Sequence, residues 1–174
     1  GALHEVGGRA ATGFAIRLLG RLKGAVLWCH PAGQKTTLYG PGLVQIGQGD
    51  LPDRLIIARA RNGSEGCWIA EEALRSGAFT AVVLQPADPV GLIPSRRLHL
   101  AAGRGGALGL ILREVQGHGP VLAPGIAASR WQVDPIPSIR QGAMIDPHWR
   151  LVLQRQRGGS ADRIGEEGCW SVPA

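Results

Sequence analysis

The sequence predicts an α/β domain with a mainly parallel sheet flanked by helices. Short apolar runs typical of buried strands alternate with amphipathic stretches typical of helices along residues 2–112. Five such strand segments are each separated by a helix or a long connection, which is the pattern of parallel βαβ units. The chain has 174 residues, which is the length of one domain and enough to bury a sizeable core.

Each element follows from a local pattern. The strand segments are apolar runs that end at glycine, proline or polar residues, and they cover residues 2–6, 24–29, 54–58, 78–84 and 107–112. The helical segments cover residues 9–22, 43–46, 64–76 and 96–103. Ser64 and Ser95 are the predicted N-terminal caps of the last two helices. The residues of 64–76 predicted to face inward are Trp68, Ile69, Ala73 and Leu74.

The pattern changes beyond the fifth strand. Residues 117–125 read as a glycine- and proline-rich loop. Residues 130–133 and 149–153 alternate in polarity, which predicts antiparallel strands added to the sheet edge and joined by a proline-containing turn. We therefore predict one domain over residues 1–157 and a polar, glycine-rich, partly disordered tail over residues 158–174.

The stretch GGRAATGFA, residues 7–15, has the glycine spacing of a nucleotide phosphate-binding loop. Gly8 and Gly13 keep the backbone part of that pattern, in which N–H groups at a helix N-terminus hold phosphate. Phe14 stands where the pattern has lysine, and Ala15 stands where it has the hydroxyl that holds magnesium. This predicts a degenerate nucleotide site, although weak anion binding at the helix end stays open.

Two further parts of a nucleotide-hydrolysing site are missing from the sequence. The fourth strand leads into Gln85 and Pro86 rather than an aspartate, and the third strand ends without a glutamate. Loss of three elements in one chain indicates loss of hydrolysis. We therefore predict no enzyme activity, no catalytic residues and no cofactor.

The formal net charge is +6, and arginine supplies most of the positive charge because Lys23 and Lys35 are the only lysines. Excess arginine favours a polyanionic partner such as DNA, and a GC-rich genome is the alternative explanation. The three cysteines and five histidines have no paired spacing, which predicts neither a disulfide framework nor a metal site. No apolar run approaches the ~20 residues of a membrane span. Because the cysteines show no disulfide pattern, we expect a reducing, cytoplasmic setting.

Several stretches, taken in order, resemble the ImuA family of RecA-like proteins from bacterial inducible-mutagenesis cassettes. They are LHEVGGRAATGFAIRLLGRL, GAVLWC, LYGPGLVQIG, DRLIIARAR, EEALRSGAFTAVVL, SRRLHLAA and LGLILR. The resemblance covers most of residues 2–157 and extends to SulA-type proteins, which have a similar core. It implies a RecA-like core and a non-catalytic accessory role in damage-induced (SOS) mutagenesis and translesion synthesis.

The resemblance also implies partners. They are a Y-family-polymerase-like protein, an error-prone C-family polymerase and DNA, and self-association stays open. RecA-like domains contact DNA through the loops after their fourth and fifth strands, here residues 85–95 and 114–128. The candidate DNA-binding residues at these loops are Arg96, Arg97, Arg113, His118 and Arg130. A solvated helix face is the alternative for Arg96, Arg97 and Arg104.

Two other functions stay open from the sequence. A SulA-like cell-division inhibitor would bind a tubulin-like GTPase rather than DNA. A divergent DNA-dependent ATPase would hydrolyse nucleotide with magnesium and would depend on Gly13. The basic charge favours the accessory role over the division inhibitor.

Overall fold

An eight-stranded sheet forms the centre of the described part of the protein in the computed structural model. The structure describes residues 1–34, 38–47, 49–113, 125–141, 144–158 and 167–171. In the last three of these ranges, side chains are described for residues 125–137 and 148–158. The strands are β1 (Ala2–Gly7), β2 (Val26–Pro31), β3 (Leu55–Ala60), β4 (Ala81–Leu84), β5 (Leu108–Arg113), β6 (Ser129–Gln141), β7 (Met144–Gln156) and β8 (Glu167–Ser171).

The strand order is β3-β2-β4-β5-β1-β6-β7-β8. Neighbouring strands are parallel from β3 through β6 and antiparallel beyond β6. The predicted α/β class, with a mainly parallel sheet and antiparallel strands toward the C-terminus, is confirmed. One detail differs, because β6 pairs in parallel with the central strand β1 before it pairs antiparallel with β7. Strand β6 is therefore an internal strand that lies beside β1, and this position decides which of its residues reach the loop that follows β1.

Helices cover both faces of the sheet. They are α1 (Ala11–Gly20), α2 (Gly40–Gly47), α3 (Gly63–Ser76) and α4 (Leu92–Gly105), with a short 3-10 helix at Leu51–Arg54. Successive strand residues point to opposite faces, so Trp28 joins the core under α1 and α2 while Leu27 joins the core under α3 and α4. Because β2, β4 and β5 are buried on both faces, their sequences are continuous apolar runs.

Both predicted helix caps are wrong. Helix α3 is capped by Asn62, whose side-chain oxygen accepts a hydrogen bond from the backbone N–H of Glu65 at 2.9 Å, so the helix begins before Ser64. Helix α4 begins at Leu92, which leaves Ser95 buried within it, where its hydroxyl accepts from the backbone N–H of Ile126 at 3.1 Å.

Trp68 was predicted to face inward, and this is also wrong, because 58% of the residue is exposed. Helix α3 buries Ala70, Ala73 and Leu74 against the sheet. Trp68 precedes Ala70 by two residues, or about 200° of helix rotation, and so points to solvent. Ile69 is partly buried.

The predicted tail contributes to the sheet, because residues Glu167–Ser171 form β8 and pair with β7. The division of the chain into a domain over 1–157 and a tail stays a prediction. Among the helices that the structure describes, none is both long and apolar enough to cross a membrane.

Candidate functional site

The loop between β1 and α1 carries the glycine pattern of a phosphate-binding loop. Gly8 has a φ of +105°, and a Cβ built there would overlap the carbonyl oxygen of Val133 in β6. The backbone N–H of Ala11 donates to the carbonyl oxygen of Gly8 at 3.2 Å, so α1 begins directly after the turn. A Cβ on Gly13 would lie 3.2 Å from Cζ2 of Trp149 in β7. At both positions the close approach of a C-terminal strand favours glycine.

Groups from β6 accept the hydrogen bonds of this loop. The backbone N–H of Arg9 donates to Oδ1 of Asp134 at 3.3 Å, and that of Ala10 donates to the carbonyl oxygen of Val133 at 3.0 Å. The side-chain amide of Gln132 donates to both carboxylate oxygens of Asp134, at 3.2 and 3.1 Å. Helix N-termini attract anions through their exposed N–H groups and the helix dipole. Here the protein's own carboxylate lies at the N-terminus of α1.

Phe14 and Ala15, at the lysine and hydroxyl positions of the pattern, pack toward the core. The Phe14 ring meets the Trp149 ring edge-on, with centroids 6.3 Å apart and an interplanar angle of 76°. Ala15 is fully buried in the same apolar cluster. The β1–α1 loop therefore receives neither a cation nor a hydroxyl from these two positions.

The end of β4 is also occupied by a contact within the protein. Gln85 follows the strand, and its side-chain oxygen accepts from the indole N–H of Trp28 at 3.3 Å.

Within the part of the chain that the structure describes, no cluster of three or more His, Cys, Asp or Glu residues could hold a metal ion.

Glu5 is fully buried in β1, between the neighbouring strands β5 and β6. Nη2 of Arg130 lies 2.6 Å from Oε2 of Glu5, and Nη2 of Arg113 lies 3.5 Å from Oε1. Both arginines are buried. Burial lowers the pKa of Arg113, and the Glu5 carboxylate opposes this effect. Two of the predicted DNA-binding residues are thus brought together as counter-ions of an interior carboxylate.

The other predicted DNA-binding residues lie apart from this pair. Arg96 and Arg97 are exposed on α4, and Nη2 of Arg97 lies 2.7 Å from Oε2 of Glu71. Within the described residues, Arg96 takes part in no ion pair. His118 lies outside the described residues. The DNA-binding role of all five residues stays a prediction.

Two clefts open near the carboxyl ends of the parallel strands, where open α/β sheets bind ligands. The larger has a volume of about 590 Å³ and is lined in part by Arg61, Gln85 and Arg113. The smaller has a volume of about 430 Å³, and Trp68 and Arg97 line it between α3 and the β4–α4 connection. The arginines of both clefts lie within ion-pair distance of carboxylates, with Arg61 paired to Glu65 at 2.8 Å.

Comparison with known proteins decides the family. No protein-family model matches the chain. Protein ImuA from two strains of Caulobacter vibrioides is 34% identical over 170 residues, which covers 90% of this chain and 67% of that protein. The chain belongs to the ImuA family. The resemblance inferred from the ordered stretches is therefore confirmed.

A solved structure supports the fold of this ImuA-family chain. The crystal structure of SulA from Pseudomonas aeruginosa superposes with a TM-score of 0.52 at 22% sequence identity, covering 65% of this chain and 98% of SulA. At this identity the likeness bears on the fold alone. It agrees with the predicted mainly parallel α/β core and with the prediction that SulA-type proteins have a similar core.

Two residues central to the site in this chain were missed by the sequence analysis. The local sequence could have pointed to Glu5, because an acidic residue in a strand that is buried between parallel neighbours needs a counter-charge inside the protein. Asp134 had none, because its partner Arg9 is 125 residues away in the chain.

Proposed function

We propose that this ImuA-family chain is a non-catalytic, RecA-like accessory protein of damage-induced (SOS) mutagenesis and error-prone translesion DNA synthesis. It works in the cytoplasm by binding a Y-family-polymerase-like partner, an error-prone C-family polymerase and DNA. The observation that carries this proposal is its membership of the ImuA family.

The geometry of the β1–α1 loop supports the non-catalytic part of the proposal. The N–H of Arg9, a donor of this loop, is turned to the Asp134 carboxylate, which therefore lies beside the place where a phosphate group would bind. The carboxylate would also repel the phosphate at short range. Phe14 and Ala15 supply neither the cation nor the metal ligand that a working loop uses against such repulsion. The protein is therefore expected to act without nucleotide turnover.

The distribution of arginines bears on how the protein binds its partners. Arg113 and Arg130 are buried with Glu5, so a phosphate contact by either one would have to disturb that cluster. Arg96 is exposed and has a positive neighbour in Arg97, which makes the α4 surface the more accessible of the predicted DNA-contacting places. A net charge of +6 supports electrostatic attraction to a polyanion.

Fluorescence anisotropy with labelled single- and double-stranded DNA tests the DNA part. Titrations at low and near-physiological salt, with and without ATP and magnesium, should show salt-sensitive binding that nucleotide leaves unchanged. Arg96→Gln should lower the salt slope by about 1, as expected when one phosphate contact is lost. The matched control, Arg59→Gln on the exposed edge strand β3, should leave the slope unchanged.

The other outcomes of these assays refute parts of the proposal. Magnesium-dependent phosphate release stimulated by DNA would identify a divergent ATPase. No DNA binding at low salt would remove DNA from the list of partners and leave protein binding. The division-inhibitor hypothesis stays a prediction, and inhibition of polymerisation of a tubulin-like GTPase would support it over the accessory role.

A further inference from the structure

The solvent side of helix α4 carries a stripe of side chains that takes no part in the core. Ile93, Arg97, Leu100 and Arg104 follow each other at intervals of three or four residues on the solvent side, with Arg96 beside them. Ile93 is 75% exposed and Leu100 is 53% exposed. The opposite side of the helix buries Ser95, Leu98, Ala101 and Ala102 in the core. We call the five solvent-side residues the α4 outer face.

The charge of the α4 outer face is positive. Helix α4 contains three arginines and no acidic residue. Arg97 is paired with Glu71 of α3, whereas Arg96 and Arg104 form no ion pair with any residue that the structure describes. A surface that complements this face must carry acidic residues beside apolar ones.

An exposed tryptophan extends this surface. Trp68 of α3 lines the cleft of about 430 Å³ together with Pro94 and Arg97, so the cleft opens at the first turns of α4. Trp68 is 58% exposed, and Leu92 at the start of α4 is also exposed. Tryptophan, with arginine, is enriched among the residues that carry most of the binding energy at protein interfaces.

We propose that the α4 outer face and the Trp68 cleft bind an amphipathic helix of a protein partner. Its apolar side chains would contact Ile93, Leu100 and Trp68, and aspartate or glutamate residues along its edge would face Arg96 and Arg104. The inference rests on the proposed function and names the surface through which the Y-family-polymerase-like partner binds. Arg96 is also the phosphate contact tested under the proposed function, so the partner and DNA would compete for it. The apolar part of the face favours the protein partner, because a phosphate backbone gains nothing from exposed isoleucine and leucine side chains.

The test uses the full-length protein and the purified Y-family-polymerase-like partner in biolayer interferometry. The variant Ile93→Ser, Leu100→Ser should weaken partner binding by at least about 10-fold, because each change removes the apolar surface that the side chain would bury against the partner. DNA affinity should stay unchanged. The control variant Val44→Ser, Ile57→Ser changes two apolar residues that are also exposed but lie elsewhere, and it should change the partner affinity less than about 2-fold.

Charge substitutions give a second measurement. Arg96→Gln, Arg104→Gln should weaken partner binding and reduce its dependence on salt. Unchanged thermal melting of all variants would show that their folds are intact.

The outcomes separate this inference from the function on which it rests. If the unmodified protein binds the partner and the Ile93→Ser, Leu100→Ser variant binds equally well, the assigned surface is wrong and the accessory function stands. If the unmodified protein does not bind the partner, the partner part of the proposed function fails, and this inference fails with it. The proposed function already expects an effect of the Arg96 change on DNA binding. If the arginine variant weakens DNA binding and neither variant weakens partner binding, the α4 outer face is a DNA surface and the inference is refuted.

Discussion

The buried cluster of Glu5, Arg113 and Arg130 allows a quantitative prediction. Glu5→Gln keeps the shape of the side chain and one carbonyl oxygen, but it removes the negative charge. Two guanidinium groups would then lie in the interior at 2.6 and 3.5 Å from a neutral amide. Water cannot replace the lost charge, because Glu5 is fully buried and both arginines are nearly so.

The size of the effect follows from this burial. Removing one partner of a buried ion pair lowers stability by about 3–5 kcal/mol, because an uncompensated charge stays buried. For a chain of this length, 1 kcal/mol corresponds to about 2–4 °C in melting temperature. We therefore expect Glu5→Gln to lower the melting temperature by about 6–20 °C.

Urea unfolding and thermal melting followed by circular dichroism measure both quantities. The matched control is Glu72→Gln, because Glu72 also pairs with an arginine, Arg75, at 3.1 Å, but half of its side chain is exposed. An exposed pair of this kind contributes about 0–1 kcal/mol. If Glu5→Gln loses no more stability than Glu72→Gln, the Glu5 cluster is not the interior counter-charge that we describe.

Three further predictions concern the loop and the neighbouring strands. Gly8→Ala should lower stability to urea by about 1–3 kcal/mol, because φ is +105° and a Cβ would overlap a β6 carbonyl. Gly103→Ala, at an open helical position, should raise stability by up to about 1 kcal/mol, and a loss of similar size in both variants would contradict the argument. The double variant Phe14→Lys, Ala15→Thr should still show no heat of ATP·Mg²⁺ binding in calorimetry, because the Asp134 carboxylate of β6 accepts the hydrogen bond of the Arg9 N–H. Micromolar binding would mean that the loop is open to nucleotide. Burial, and then a neighbouring imidazole, lower the pKa of His4 below 6.5, so the unfolded state binds more protons and stability should fall as pH drops below 6.5. His4→Gln should reduce that fall in urea titrations between about pH 7.5 and 5.5, and an unchanged pH dependence would assign it to other groups.

Local sequence patterns were sufficient for most of the fold. The run Val26–Cys29 predicts a doubly buried strand because each of its residues must lie in one of two apolar cores. Helix starts were harder, because Asn62 and Ser64 can both cap a helix and lie two residues apart. The choice depends on whether Asn62 accepts the N–H of Glu65 or Ser64 accepts that of Cys67, and only the folded backbone determines that.

The site could be predicted only in part, because its contacts cross the sheet. Arg113 and Arg130 flank a glycine-rich segment, and this local pattern indicated phosphate binding. Their partner is set by the strand order, which puts β1 between β5 and β6 and so puts Glu5 between the two arginines. Composition and spacing carry no information on such an order, and a charge that pairs inside the fold looks the same in the sequence as one that faces a ligand.

Strand β6 connects these observations. One short segment supplies Arg130 to the buried carboxylate of β1, and the Val133 carbonyl and the Asp134 carboxylate to the loop that follows β1. In a nucleotide-binding core, a bound phosphate would meet the donors of this loop. Here strand β6 supplies the acceptors for the loop's donors, in place of a phosphate. The conformation of the loop at the carboxyl end of β1 therefore does not depend on a ligand. Under the proposed function, we expect no switching by nucleotide hydrolysis, and we expect the protein's activity to follow its abundance and the availability of its partners.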